Sequence, residues 1–102
     1  MTRAPHFRVE SDTLGTLRVS GAISFANAGA ALARMPRPAA PGSTLELDLA
    51  GLEQPDSATL AVLIAWSARA RRHGVTLRYR RAPVGLRRLA TLCEVDGLLG
   101  LG

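Results

Sequence analysis

One short run of the chain gathers polar groups that could do chemistry together: Leu52-Glu53-Gln54-Pro55-Asp56-Ser57-Ala58-Thr59-Leu60. It sits where a strand-like segment gives way to a helix-like one. The first amides of a helix lack intrahelical acceptors. Asp56 is suited to cap them, and Ser57 and Thr59 add hydroxyls within the first turn. Such a corner can hold its own cap, bind a phosphate or carboxylate, or offer hydrogen bonds to another protein.

Elsewhere, catalytic residue sets are missing. His6 opens an edge-like strand, and His73 falls at a helix end, where a polar or cationic side chain suits the dipole. Pro41-Gly42-Ser43-Thr44 has a glycine and hydroxyls but lacks the lysine of a phosphate-binding loop and precedes a strand. Glu46 and Asp48 share a strand face, a spacing that ordinary solvation explains. The single cysteine, Cys93, excludes an intramolecular disulfide and is expected to be a packed structural thiol. With no metal-ligand spacing, no nucleotide motif and no nucleophile–base pair, neither a cofactor nor enzymatic activity is expected.

The elements around that corner follow from periodicity. Phe7–Glu10, Thr16–Val19, Thr44–Leu49 and Val75–Arg80 alternate apolar and polar residues and read as strands. Ser11 to Gly15 reads as the turn joining the first two. Ser24 is placed to cap a helix from Phe25 to Met35, which Pro36, Pro38 and Pro41 end. Asp56 caps a second helix over Ser57–His73, closed by Gly74 and carrying Leu60, Leu63, Ile64 and Ala68 at helical spacing. Pro83 suits the first turn of a third helix, with Leu86, Leu89, Ala90 and Cys93 on one face. The tail Leu98–Gly102 is expected to pack weakly or fray. The order is β-β-α-β-α-β-α. A sheet covered on both faces would carry strands apolar throughout. Glu46, Asp48, Arg78 and Arg80 break that pattern, so helices should cover one face only; with the hairpin and a parallel strand–helix–strand crossover over Leu45–Arg80, the expected fold is α/β, a mixed four-stranded sheet.

Composition sets the outer bounds. The length of 102 residues allows a single domain, and 47% hydrophobic with 21% charged residues is a globular composition, unlike disorder. No run of roughly 18 apolar residues suggests a membrane span, and the N-terminus lacks the apolar core of a signal peptide, so the cytoplasm is the expected location. The net charge of +5 comes entirely from arginine, and eight of the 13 arginines fall between Arg69 and Arg88. Such a cluster fits a nucleic-acid footprint, a solvated face or a surface for an acidic partner. Only Tyr79 interleaves it, so the stacking platform of a single-strand binder is missing.

At the corner the sequence resembles the STAS domain family. The matching residues are Leu47-Asp48-Leu49-Ala50-Gly51-Leu52, then Asp56-Ser57-Ala58-Thr59-Leu60, with Gly74-Val75-Thr76-Leu77 and Ala82-Pro83 following. The resemblance implies a non-catalytic protein that docks on other proteins. Among anti-sigma-factor antagonists of this family, the second serine after the aspartate accepts a phosphate from a partner kinase. Ala58 occupies that position here, and Thr59 replaces the next glycine, leaving Ser57 and Thr59 as candidate acceptors. A second subfamily, the MlaB-like subunits of bacterial phospholipid-transport ABC complexes, places a hydroxyl residue directly after the aspartate at the interface with the ATPase, as Ser57 stands here. On that resemblance, Asp56, Ser57, Thr59 and Leu60 form a partner-binding patch bordered by Ser24 and Pro83, and the expected partner is an ABC ATPase subunit. An anti-sigma kinase is the alternative partner, and a basic nucleic-acid-binding domain is the second alternative.

Overall fold

The computed structural model describes residues 6–11, 16–34 and 40–100. In chain order the elements are β1 (Phe7–Ser11), β2 (Leu17–Gly21), α1 (Ala28–Ala33), β3 (Thr44–Leu52), α2 (Ser57–Arg72), β4 (Thr76–Arg80), α3 (Val84–Leu92) and α4 (Asp96–Leu99). The strands lie side by side as β1-β2-β3-β4. β1 runs antiparallel to β2, while β2, β3 and β4 are mutually parallel. The sheet is therefore mixed, as a hairpin followed by a parallel strand–helix–strand crossover predicts.

Alternation decides which face is covered. Val19, Leu47, Leu49 and Tyr79 point to one side and join Leu60, Leu63, Trp66, Leu86 and Ala90 from the helices in one core. The opposite face carries Arg18, Glu46, Asp48, Arg78 and Arg80. α2 is the central helix. Its Trp66 is fully buried, and the indole Nε1–H donates to the Ala31 carbonyl at 3.1 Å, which fastens α1 to α2 without stranding a polar atom. Tyr79 fastens α2 to the sheet. Its hydroxyl donates to the Leu63 carbonyl at 2.7 Å and accepts from Ser67 at 3.2 Å, and burial pushes the phenol above its ordinary pKa.

β3 departs from simple alternation. Arg18 of β2 faces Asp48, but Ser20 faces Gly51, so β3 holds one extra residue between these pairs. This bulge shifts the phase and brings Leu52 to the core side after Leu47 and Leu49. The Ala50 amide at the bulge donates to Asp48 Oδ1 at 2.9 Å. Gly51 is needed there, because a Cβ would lie 2.8 Å from the Ser20 Cβ. Asp48 is thus more than a solvated carboxylate. It is 7% exposed, ties down the bulge and pairs with Arg81 just past β4. Glu46 pairs with Arg80 at 3.1 Å.

Three local expectations need correction. The first helix does not begin at Phe25 under a Ser24 cap. Asn27 is the N-cap residue, and its side chain braces the preceding turn instead of capping the helix: Oδ1 accepts from the Ser24 amide and Nδ2 donates to the Ala22 carbonyl, both at 2.8 Å. Ser24 Oγ accepts from the Ala26 amide at 3.2 Å within that turn. Met35, the expected helix end, lies outside the described residues. Cys93 is exposed, not packed. α3 stops at Leu92, and Cys93 is its exposed C-cap residue, after which Glu94, at φ +60°, turns the chain. The expected loose tail from Leu98 begins inside α4 (Asp96–Leu99), where Leu99 is buried; Leu101 and Gly102 lie outside the described residues. His73 ends α2 as its C-cap, and Gly74 follows at φ +75°.

The Asp48–Arg81 pair has a pH signature. The Arg81 guanidinium's hydrogen bonds hold the Asp48 carboxyl below its ordinary value of 3.8, against the opposing effect of burial. A lowered folded-state pKa contributes stability above the ordinary carboxylate range and loses it as pH falls through the lowered value. Thermal melts between about pH 5 and pH 2 should therefore show Tm falling more steeply for the wild type than for Asp48→Asn. Parallel Tm curves would refute this role.

Candidate functional site

Because β2, β3 and β4 are parallel, their C-terminal ends meet at one edge of the sheet, and the loops leaving them converge. The Glu53 amide donates to the Gly21 carbonyl at 2.8 Å, tying the end of β3 to the end of β2. Gly85, in the first turn of α3, lies against Pro55: a Cβ there would sit 3.6 Å from Pro55 Cγ. The loops after β2, β3 and β4 thus border the start of α2.

The start of α2 is a capping box. Asp56 Oδ1 accepts from the Thr59 amide at 3.1 Å, and Thr59 Oγ1 accepts from the Asp56 amide at 3.1 Å. The Thr59 hydroxyl also donates to the Ile23 carbonyl at 2.6 Å, joining the cap to the loop after β2. Thr59 is 1% exposed. It turns inward and holds the corner, so the expectation of a surface hydroxyl at Thr59, open to a partner or a kinase, does not hold. Leu60 is buried beneath the same turn and anchors it to the core. Ala58 is also buried, so the family's usual acceptor position has neither a hydroxyl nor access.

Ser57 is the hydroxyl that remains outside: it is exposed on the first residue of α2. Asp56, Ser24 and Pro83 are half-buried. The Asp56 carboxylate already occupies the helix terminus, so an incoming phosphate would meet negative charge. This disfavours anion capture and suits a corner that offers neutral hydrogen-bonding groups.

Two exposed large apolar residues lie on the segments bordering the corner and were missed by periodicity; a third, Leu92, lies at the far end of α3. Phe25 is 78% exposed in the turn after Ile23, and Val84 is 53% exposed beside Gly85. Large apolar groups held in water beside a convergent corner are what a docking surface requires. For Val84 a signal existed: it lies off the Leu86–Ala90 stripe of its helix. For Phe25 none did, since a longer α1 would have used it as a helical residue.

The arginine cluster is divided between elements, and half of it, Arg71, Arg78, Arg80 and Arg81, lines one groove beside β4. Arg69 donates to the Leu32 carbonyl at 3.1 Å, Arg80 and Arg81 pair with Glu46 and Asp48, and Arg87 and Arg88 are exposed on α3. Among the described residues, no group of three or more histidine, cysteine or acidic side chains gathers as a metal site. No helix among them is long and apolar enough to cross a membrane.

Fold and corner together define an α/β domain with a self-capped helix start at the converging ends of its parallel strands. The chain belongs to the STAS domain family: residues 7–100 match the family model described as "Mlab, STAS domain". Among solved structures it is similar to an anti-sigma factor antagonist from Mycobacterium paratuberculosis. That similarity has a TM-score of 0.56 and 24% identity, covering 94% of this chain and 83% of the other, a likeness of fold. No curated protein matches the chain.

The Thr59 hydroxyl serves two partners, accepting from the Asp56 amide and donating to the Ile23 carbonyl, so its removal should be costly. Thr59→Val keeps shape and branching but strands the Ile23 carbonyl and the Asp56 amide. Urea denaturation should show a loss of about 1–3 kcal/mol with an unchanged m-value, and Thr59→Ser should recover most of it. A Val variant as stable as the wild type would exclude the corner bond as a structural tie.

Proposed function

We propose that this chain is a non-catalytic cytoplasmic STAS subunit that docks on the ATPase subunit of a phospholipid-transport ABC complex and stabilises or regulates it. The observation that carries the reading is the rigid, self-capped corner with Ser57 outward and Phe25 and Val84 exposed beside it. The match to the family model described as "Mlab, STAS domain" supports the choice of partner. So does Ala58, which removes the phosphoacceptor of the antagonist pattern. Asp56 and Thr59 preorganise the corner, Leu60 anchors it, Ser57 hydrogen-bonds to the partner, and Ser24 and Pro83 sit at the rim. A few apolar anchors ringed by polar contacts suffice for a specific interface. Exposed Arg87 and Arg88 on α3 add electrostatic steering toward an acidic partner surface.

A second reading, as an anti-sigma-factor antagonist acting on a kinase, is supported by the fold likeness to the mycobacterial antagonist and by the accessible Ser57 hydroxyl. It requires phosphate transfer to Ser57, since Thr59 is enclosed.

Coexpression with the ATPase subunit tests the first reading. Ser57→Glu and Phe25→Ser should each reduce copurification by about tenfold or more while leaving the melting temperature within a few degrees of the wild type. Undiminished copurification of both variants would overturn the docking assignment. Incubation with an anti-sigma kinase and ATP tests the second: incorporation lost in Ser57→Ala would favour it.

A further inference from the structure

A groove of about 640 Å³ runs along the outer edge of β4, bounded by α2 and α4. It uses none of the residues assigned to the corner. β4 pairs with β3 on one side, and no strand among the described residues pairs with it on the other. The Thr76 amide donates to the Ser43 carbonyl on the β3 side, at 3.1 Å. Backbone groups alternate along a parallel strand, so Leu77 and Tyr79 turn their N–H and C=O groups outward, into the groove. Arg71, Arg78, Arg80 and Arg81 surround it. Arg80 and Arg81 are neutralised by Glu46 and Asp48, whereas Arg71 and Arg78 make no ion pair among the described residues.

We propose that this edge binds an extended acidic segment of another protein, which adds to the sheet as a strand beside β4. Its length fits: β4 has five residues, about 17 Å of ladder. The two sides of the groove set a pattern. On the open face an added strand would meet Arg78 and Arg80; on the helical face it would pack over α4, where Leu99, 4% exposed, closes the groove. Alternating acidic and apolar side chains satisfy both. Strand addition takes affinity from main-chain hydrogen bonds and specificity from such alternate positions.

Charge selects this occupant over a second copy of the chain. Two β4 edges side by side would set their arginines against each other, and like charges on adjacent strands are destabilising. Arginines on an edge strand deter self-pairing and admit a chain of opposite sign. A single-stranded nucleic acid is disfavoured because the Tyr79 ring is buried, its hydroxyl bonded to Leu63, and offers no stacking face.

The test is a fluorescence-anisotropy titration of the full chain with a labelled octapeptide of alternating glutamate and valine. Binding should weaken with salt and fall about tenfold or more in the double variant Arg71→Glu, Arg78→Glu, whose residues are exposed and outside the core. Two further peptides, N-methylated on one or the other alternate set of amides, distinguish strand addition from simple charge attraction. One set should abolish binding and the other leave it nearly intact. Equal affinity of the two methylated peptides, or no response to the charge reversal, would overturn the proposal. So would concentration-dependent dimerisation through β4, or a labelled oligonucleotide binding this edge where the peptide does not. Peptide binding that survives Ser57→Glu would show the groove to act independently of the docking corner.

Discussion

A single threonine hydroxyl, buried at the start of α2, ties the opening of that helix to the loop after β2. Thr59 Oγ1 closes the capping box with Asp56 and donates to the Ile23 carbonyl across the gap to the loop after β2. A helix start must satisfy its amides somewhere, and here the chain supplies the cap itself. With the carboxylate committed inward, the outward surface is left to Ser57, Phe25 and Val84. The corner is rigid because its polar groups are spent internally, and rigidity lowers the entropy lost when a partner binds.

The second constraint is that the sheet is covered on one face. The uncovered face must meet water, so its strand positions are polar, and Glu46–Arg80 and Asp48–Arg81 knit it together. Asp48 has the larger structural role. It accepts the bulge amide of Ala50 as well as the guanidinium of Arg81, so it couples the phase shift in β3 to the exit of β4. That phase shift turns Leu52 inward and sets where the chain leaves the sheet toward Asp56. The polar face and the corner at Asp56 are therefore linked through β3.

The arginine richness of the chain takes on a different meaning once the fold is known. Residues close together in sequence part company in space: Arg69 serves the backbone of α1, Arg80 and Arg81 serve the open face, and Arg87 and Arg88 look outward from α3. What remains uncompensated along β4 is local and lies on a strand edge, where backbone hydrogen-bonding groups are also available. A linear cluster of charge is a statement about composition. Its chemistry depends on which members the fold has already neutralised.

Much of the architecture was legible in the linear pattern. Alternation over Thr44–Leu49 and Val75–Arg80 determined the strands and, through Glu46, Asp48, Arg78 and Arg80, the single covered face. Asp56 and Gly74 determined the limits of α2, because a carboxylate cap and a left-handed closing glycine act within a few residues of themselves. Only the tertiary structure decided the rest. The bulge at Ala50 depends on β2 as a partner, the inward turn of Thr59 on an acceptor 36 residues away, and the fate of Cys93 on where α3 stops against α4. Ser24 looked like a helix cap because capping propensity is local, yet Asn27, braced against Ala22, begins the helix. The exposure of Phe25 follows from that displaced start. Periodicity records which side of an element is apolar. Which apolar residues stay in water depends on what the folded chain packs against them.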